Sequence, residues 1–297
     1  GAQPRRGHFS KNRLKTVIEG LRRYLHFLHP RHWYIELLFL SGVIAAILGT
    51  VGAYWDIGRH FDIGRDTFWA PPHLMIYGSI VVMTIFFGLN LMLAITHDLP
   101  HKQHALFIFI LFGLAALGLQ YLSAPLDELW HRSYGIDVQI FSPPHLLLIA
   151  GSILGGLAVA MIVKYHTLHE RKKFLLEKLL IPTFLGFALV GMILILAEGE
   201  FPTLPPWHPV QNRPEWVYPF FSITAASIVF VISKFLSNLQ HSALFTFITY
   251  TGLRMLPVEF NSIIGMQSVP ILPPFLMFFL ILSILTDTIF TKLRTEG

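Results

Sequence analysis

The stretch WDIGRHFDIGRDTFWAPPHLMIYG, Trp55 to Gly78, lies between two long apolar runs and holds three Asp, two His and two Arg. Charged groups are costly at membrane depth, so such an island marks the place where the chain leaves the bilayer and turns back. Asp56 closes the first run, and Pro71-Pro72 opens the second. Residues four apart share one face of a helix, so one further helical turn beyond Asp56 sets Asp56 and His60 side by side. The Pro pair suits the first turn of the next helix, where a missing N–H costs nothing, and this places His73 at its mouth. The stretch reads as the tip of a transmembrane helical hairpin that gathers one carboxylate and two imidazoles.

A second stretch repeats the pattern: LDELWHRSYGIDVQIFSPPHLLLIAG, Leu126 to Gly151. Asp56 and Asp127 are each followed by His at +4 (His60, His131), Gly at +8 (Gly64, Gly135) and Asp at +10 (Asp66, Asp137). Pro-Pro-His-Leu then spans 71–74 in one copy and 143–146 in the other, one residue later in register. The copies lie 71 residues apart, the length of one pair of spans, which is an internal duplication. A worn third copy starts at Glu198, another 71 residues on, with Pro205-Pro206 and His208 but no His at the +4 or +17 position. Glu259 with Pro273-Pro274 is the trace of a fourth.

Outward from these motifs, the composition is that of a polytopic membrane protein. Of 297 residues, 54% are hydrophobic and 13% charged, and 26 are Phe, more apolar surface than a water-soluble fold hides. Apolar runs long enough to cross a bilayer fall near 34–54, 72–96, 104–124, 144–164, 178–197, 217–236, 241–257 and 273–291, the seventh short and interrupted by Arg254. The predicted fold is an all-α integral membrane bundle of about eight transmembrane helices arranged as repeated hairpins. Residues 1–33 form a basic N-terminal segment in which Leu14, Val17, Ile18, Leu21, Leu25 and Leu28 make the apolar stripe of a surface helix. Residues 34–291 form one transmembrane domain with the motifs at 56–73 and 127–145, and 292–297 a short tail. The N-terminus lacks the pattern of a cleaved signal.

The net charge of +5 is distributed by topology. Seventeen of the 22 basic residues fall in the N-terminal segment, the loop after the fourth span and the other segments on that side. The motif side keeps Arg59, Arg65, Arg132, Arg213 and Arg254 against ten acids. The positive-inside rule therefore predicts cytoplasmic termini and motifs at the outer face, whose net negative charge attracts cations. Nucleic acid is not needed to explain the basic balance. Cysteine is absent, which removes thiolate sites and disulfides.

One carboxylate with two imidazoles suits Cu, Zn or Fe(II), and disfavours Mg and Ca, which prefer oxygen cages. Copper leads in affinity wherever it is available. The expected ligands are Asp56, His60 and His73 in one site and Asp127, His131 and His145 in the other. Asp66 and Asp137 are expected as acceptors for imidazole N–H groups or as ligands themselves, with Arg65 and Arg132 holding those carboxylates. A single His at a membrane interface is ordinarily a headgroup-level or capping residue, and Pro-Pro at a helix start is ordinary punctuation. The duplication with equal offsets is what favours metal over both readings.

The first motif resembles that of the C subunit of the copper membrane monooxygenases, the particulate methane and ammonia monooxygenase family. The family pattern runs Asp-x3-His, then Arg-Asp-Thr-x-Phe-x-Pro-x-His; this chain has Asp56, His60, Arg65-Asp66-Thr67, Pro71 and His73, with Phe68 one place early. The family's second cluster, Asn-x3-His-x13-His, is matched by Asp127, His131 and His145, with Asp127 in place of Asn. The resemblance covers about residues 34–165, and only one span precedes the first motif where the family has two. It implies two neighbouring copper sites in one subunit of a multi-subunit membrane enzyme. Such an enzyme uses O2 to oxidise a small substrate such as ammonia, methane or a short alkane. The implied partners are other subunits of that complex, the lipid bilayer, the small-molecule substrate and O2.

Two rival readings are a non-catalytic subunit with structural metals, and a metal transporter or chaperone. Against transport, no ladder of carboxylates or imidazoles continues through the spans. His97, His101 and His104, and likewise His166 and His169, read as solvated interfacial groups. Asp287 reads as a helix-end carboxylate with a local partner. The Pro- and Trp-rich segment after Ala197 reads as a loop covering the sites, with Glu198, Glu200 and His208 as lesser metal candidates. Haem ligation by facing His pairs is disfavoured because the His residues cluster at one outer rim rather than inside spans on both leaflets. Phosphate-binding Gly loops, Ser-nucleophile motifs and nucleic-acid motifs are not found.

Overall fold

The computed structural model describes residues 32–64, 67–96, 103–134, 140–169, 175–204, 208, 213–237 and 239–296. The expected N-terminal amphipathic helix lies outside these residues. Among the described residues eight α-helices follow one another: α1 (His32–Ile63), α2 (Pro71–Thr96), α3 (Gln103–Tyr134), α4 (Pro143–His169), α5 (Leu175–Leu194), α6 (Val217–Leu236), α7 (Ser242–Ile263) and α8 (Leu276–Glu296). A short 3-10 helix, Ala197–Glu200, follows α5, and no strand occurs among the described residues. Each helix matches one of the eight apolar runs. The chain is an all-α polytopic membrane bundle.

Six helices (α1, α2, α3, α4, α6 and α8) are long and apolar enough to cross a membrane. The other two differ for identifiable reasons: α5 has a shorter apolar stretch, Leu179–Leu194, and α7 carries Arg254, Glu259 and Asn261 among its apolar residues. At 1.5 Å per residue the 32 residues of α1 and of α3 reach about 48 Å, well beyond a hydrocarbon core of about 30 Å. The surplus turns carry the motifs: α1 continues past Asp56 to Ile63, and α3 past Asp127 to Tyr134. α1 stops at Gly64, whose φ of +79° is open to glycine and whose N–H bonds back to the His60 carbonyl at 3.0 Å. Both α2 and α4 begin on their Pro-Pro pairs, as the missing N–H predicts.

Helices α1 to α5 close a ring: each packs on the next, and α5 returns to α1. Small residues permit the close approaches. A Cβ added to Gly151 of α4 would lie 2.6 Å from the Ala116 carbonyl oxygen of α3, so that crossing tolerates nothing larger. α7 packs on α1 and α5, and α6 and α8 pack against α7. The core is aromatic, with Phe86, Phe87, Phe184, Phe230, Tyr250 and Phe279 all buried. Ile44, Val81, Ile108, Phe235 and Met277 point outward and are exposed, as suits a lipid-facing surface.

Two buried ion pairs tie the later helices down. At the motif end, Arg254 of α7 is fully buried and donates to Glu200 Oε2 at 2.6 Å and to the Ile271 carbonyl at 3.1 Å. Its guanidinium lies 3.9 Å from the ring centroid of Tyr54, and the Tyr218 hydroxyl donates to Glu200 Oε1. Burial pushes the Glu200 carboxyl upward, opposed by the Arg254 charge and the tyrosine hydroxyls. At the other end, Lys234 of α6 pairs with Asp287 of α8 at 2.9 Å, and the Asp287 carboxylate accepts the N–H groups of Ala243 and Leu244 in the first turn of α7. Lys234 is buried in this pair. Asp287 therefore has its partner on another helix, 53 residues away in sequence.

Candidate metal centre

The two hairpin tips assemble the six expected ligands into two triads. In the first, Asp56 Oδ1 lies 3.6 Å from His60 Nε2 on the same helix and 3.0 Å from His73 Nε2 on the next. In the second, Asp127 Oδ2 lies 3.5 Å from His131 Nε2, and Oδ1 lies 3.1 Å from His145 Nε2. Within each triad one ligand atom per residue lies within 4.8 Å of the others; among the described residues these are the only such His/Asp/Glu groups. An ion about 2.0–2.2 Å from each ligand spaces its ligands by about 3–3.5 Å, so the triads are close to the size of one coordination sphere.

The hydrogen bonding also suits a cation. His73 Nδ1 lies 3.3 Å from the Phe68 carbonyl oxygen, which only accepts, so Nδ1 carries the proton. In a neutral ring the Nε2 lone pair is then aimed at the Asp56 carboxylate, and two acceptors 3.0 Å apart need a proton or a metal ion between them. Asp56 Oδ1 and Asp127 Oδ1 are both shut off from solvent without a well-aligned hydrogen bond. The ligand residues are partly buried, His131 most deeply.

Part of the first triad and His145 of the second share a cleft. Asp56, His60 and His145 line one cleft, walled by apolar residues that include Ile57, Ile140 and Leu194. Ala53, Ile76, Leu148, Ile149 and Leu194 continue into a second cavity of about 60 Å³ inside the ring of α1 to α5. Its wall is apolar apart from Thr50, Tyr54, Ser79, Gln120 and Ser152.

Of the expected supporting residues, Asp66, Asp137 and Arg65 lie outside the described residues. Arg132 is exposed and pairs with Glu128, four residues back, at 2.7 Å. The lesser candidates are engaged elsewhere. Glu200 is held by Arg254, and His208 packs edge-on against Phe61 with ring centroids 5.7 Å apart. Glu198 accepts the Ile140 N–H at 2.5 Å and pairs with Arg213 at 3.1 Å. His166 packs against Phe39, while His97 and His101 lie outside the described residues. Sequence reasoning missed the partners of Arg254 and Glu198. The signal for the first was present, since an Arg within an apolar run demands a carboxylate at its own depth.

Comparison of the chain with family models, with curated proteins and with solved structures found no match.

Proposed function

We propose that the two triads each hold a copper ion and that the chain is the metal-binding subunit of a membrane monooxygenase. The complex would oxidise a small, weakly polar substrate with O2. The observation that carries the reading is the pair of Asp-His-His triads with equal helical offsets, beside an apolar cleft that Asp56, His60 and His145 line. The motif resemblance to the C subunit of the copper membrane monooxygenases supports the choice of copper. When bound, copper supplies the electron exchange with O2 that protein side chains lack. The chain's own residues do the rest. Asp56 and Asp127 offset the ion's charge, and the imidazoles fix its geometry. Ile57, Ile140 and Leu194 would give the cleft an apolar wall that limits water around a reactive oxidant.

The cavity inside the ring limits substrate size. A void of about 150 Å³ accepts benzene, so one of about 60 Å³ suits a molecule of only a few heavy atoms. Electrons come from partner subunits or a carrier, because copper is the only redox group this reading gives the chain. The charge distribution supports cytoplasmic termini with the triads at the outer face.

The test is metal content and copper-dependent O2 consumption of the complex purified in lipid. The reading predicts two copper equivalents per chain and turnover that is lost on chelation and restored by copper alone. Stoichiometric copper without turnover under reducing conditions would replace it with a structural role, and copper flux into liposomes would replace it with transport.

A further inference from the structure

We propose that Glu198 is a positioning residue for the second triad, a strut that fixes the backbone from which His145 projects. Glu198 is completely buried in the 3-10 helix after α5, far from either Asp-His pair in sequence. A carboxylate so placed needs strong partners, and both of its oxygens have them: Ile140 N–H at 2.5 Å on Oε1 and the Arg213 guanidinium at 3.1 Å on Oε2.

Ile140 is the first described residue before α4, and its carbonyl in turn accepts the Ser142 N–H at 2.8 Å. The Ser142 carbonyl accepts the Leu146 N–H at 2.9 Å, which starts the helix that carries His145 as its third residue. Three linked hydrogen bonds thus run from Glu198 to the turn that aims the imidazole. The Ile140 side chain lies in the cleft wall beside Asp56, His60 and His145, so the same anchor sets the wall.

The first hairpin is anchored differently. Its connection is held by its own backbone, with Ala70 N–H on the Thr67 carbonyl at 2.9 Å, and by His73 on the Phe68 carbonyl. The acid that stands 71 residues after Asp127 in the worn third repeat has become the support of the second.

The affinity arm of the test rests on the triads being metal sites; the exchange arm does not. In full-length chain in lipid nanodiscs, Cu²⁺ titration in a His60→Ala background reads the second triad alone, and in a His131→Ala background the first. Glu198→Ala is expected to weaken the second triad by about 10–100-fold, the usual effect of losing an outer support, and to leave the first unchanged. Glu198→Gln keeps an oxygen for the Ile140 N–H and restores most of the affinity. Glu198→Asp keeps the charge but withdraws it from Ile140, and behaves like Ala. In metal-free protein, amide hydrogen exchange across 140–146 rises in Glu198→Ala and Glu198→Asp, stays low in Glu198→Gln, and does not change across 70–76. Equal weakening of both triads, or unchanged exchange at 140–146, overturns the strut. Absence of Cu²⁺ binding in both backgrounds overturns the metal reading while the exchange arm still decides the strut.

Discussion

In the first hairpin the connection supplies supports of its own, a Gly64 turn, the Thr67–Ala70 backbone bond and the Phe68 carbonyl on His73, and Asp62 ties the end of α1 to the segment before α8. In the second, the connection leans on Glu198 from another part of the chain. Exposure follows this division at two of the three positions, since His131 at 7% is more buried than His60 at 13%. Asp56 and His73 are each 16% exposed, whereas Asp127 and His145 are 24% and 26% exposed. Duplication preserved the ligand spacing, because spacing on a helix is what puts three side chains around one ion. It did not preserve the supports, because any group that fixes the same backbone serves equally well.

The largest effect expected is loss of a whole site. His60→Ala and His131→Ala should each remove one of two copper equivalents, measured by metal analysis after gel filtration. Retention of full metal in both would overturn the assignment of the triads as the metal sites. Next comes a control common to both hairpins. Glu200→Gln or Arg254→Met leaves one buried charge without its partner, with an expected cost of about 3–5 kcal/mol. Thermal unfolding should fall, and the surviving folded protein should keep both metals in equal proportion. Selective loss of one metal would make that pair part of a site.

A smaller effect sharpens the comparison on the second side only. Gly151→Ala places a methyl against the Ala116 carbonyl, and overpacking of this kind costs about 1–3 kcal/mol. Its strain falls on α3 and α4, so second-site affinity should drop while the first is spared. The smallest effect is kinetic: a soluble chelator should reach the second triad through the more exposed Asp127 and His145 and strip it faster than the first, read as two phases of copper release.

Much of this was legible in the sequence, for physical reasons. Apolar runs must cross a bilayer as helices, so eight runs foretold eight helices, and Pro-Pro marked where α2 and α4 begin. The helix ends were less legible. Apolar windows stop at the first charge, near 54 and 124, yet α1 and α3 continue to Ile63 and Tyr134 because beyond the hydrocarbon a helix is not limited by polarity. The triads were legible because i,i+4 spacing and a hairpin fix proximity without any long-range knowledge. The Glu200–Arg254 contact spans 54 residues, the Glu198–Ile140 contact 58 and the Lys234–Asp287 pair 53, and no local rule chooses between carboxylates at equal depth. Asp62 makes the same point: it accepts the N–H groups of Gln267 and Ser268, both at 2.9 Å, and so docks the α7–α8 loop on the end of α1.

An anomalous-scattering map collected at the copper edge from copper-loaded protein tests the central claim most directly. The account predicts two peaks, one bounded by Asp56, His60 and His73 and the other by Asp127, His131 and His145. Peaks confined to other histidines, or no peak at either hairpin tip, would contradict it.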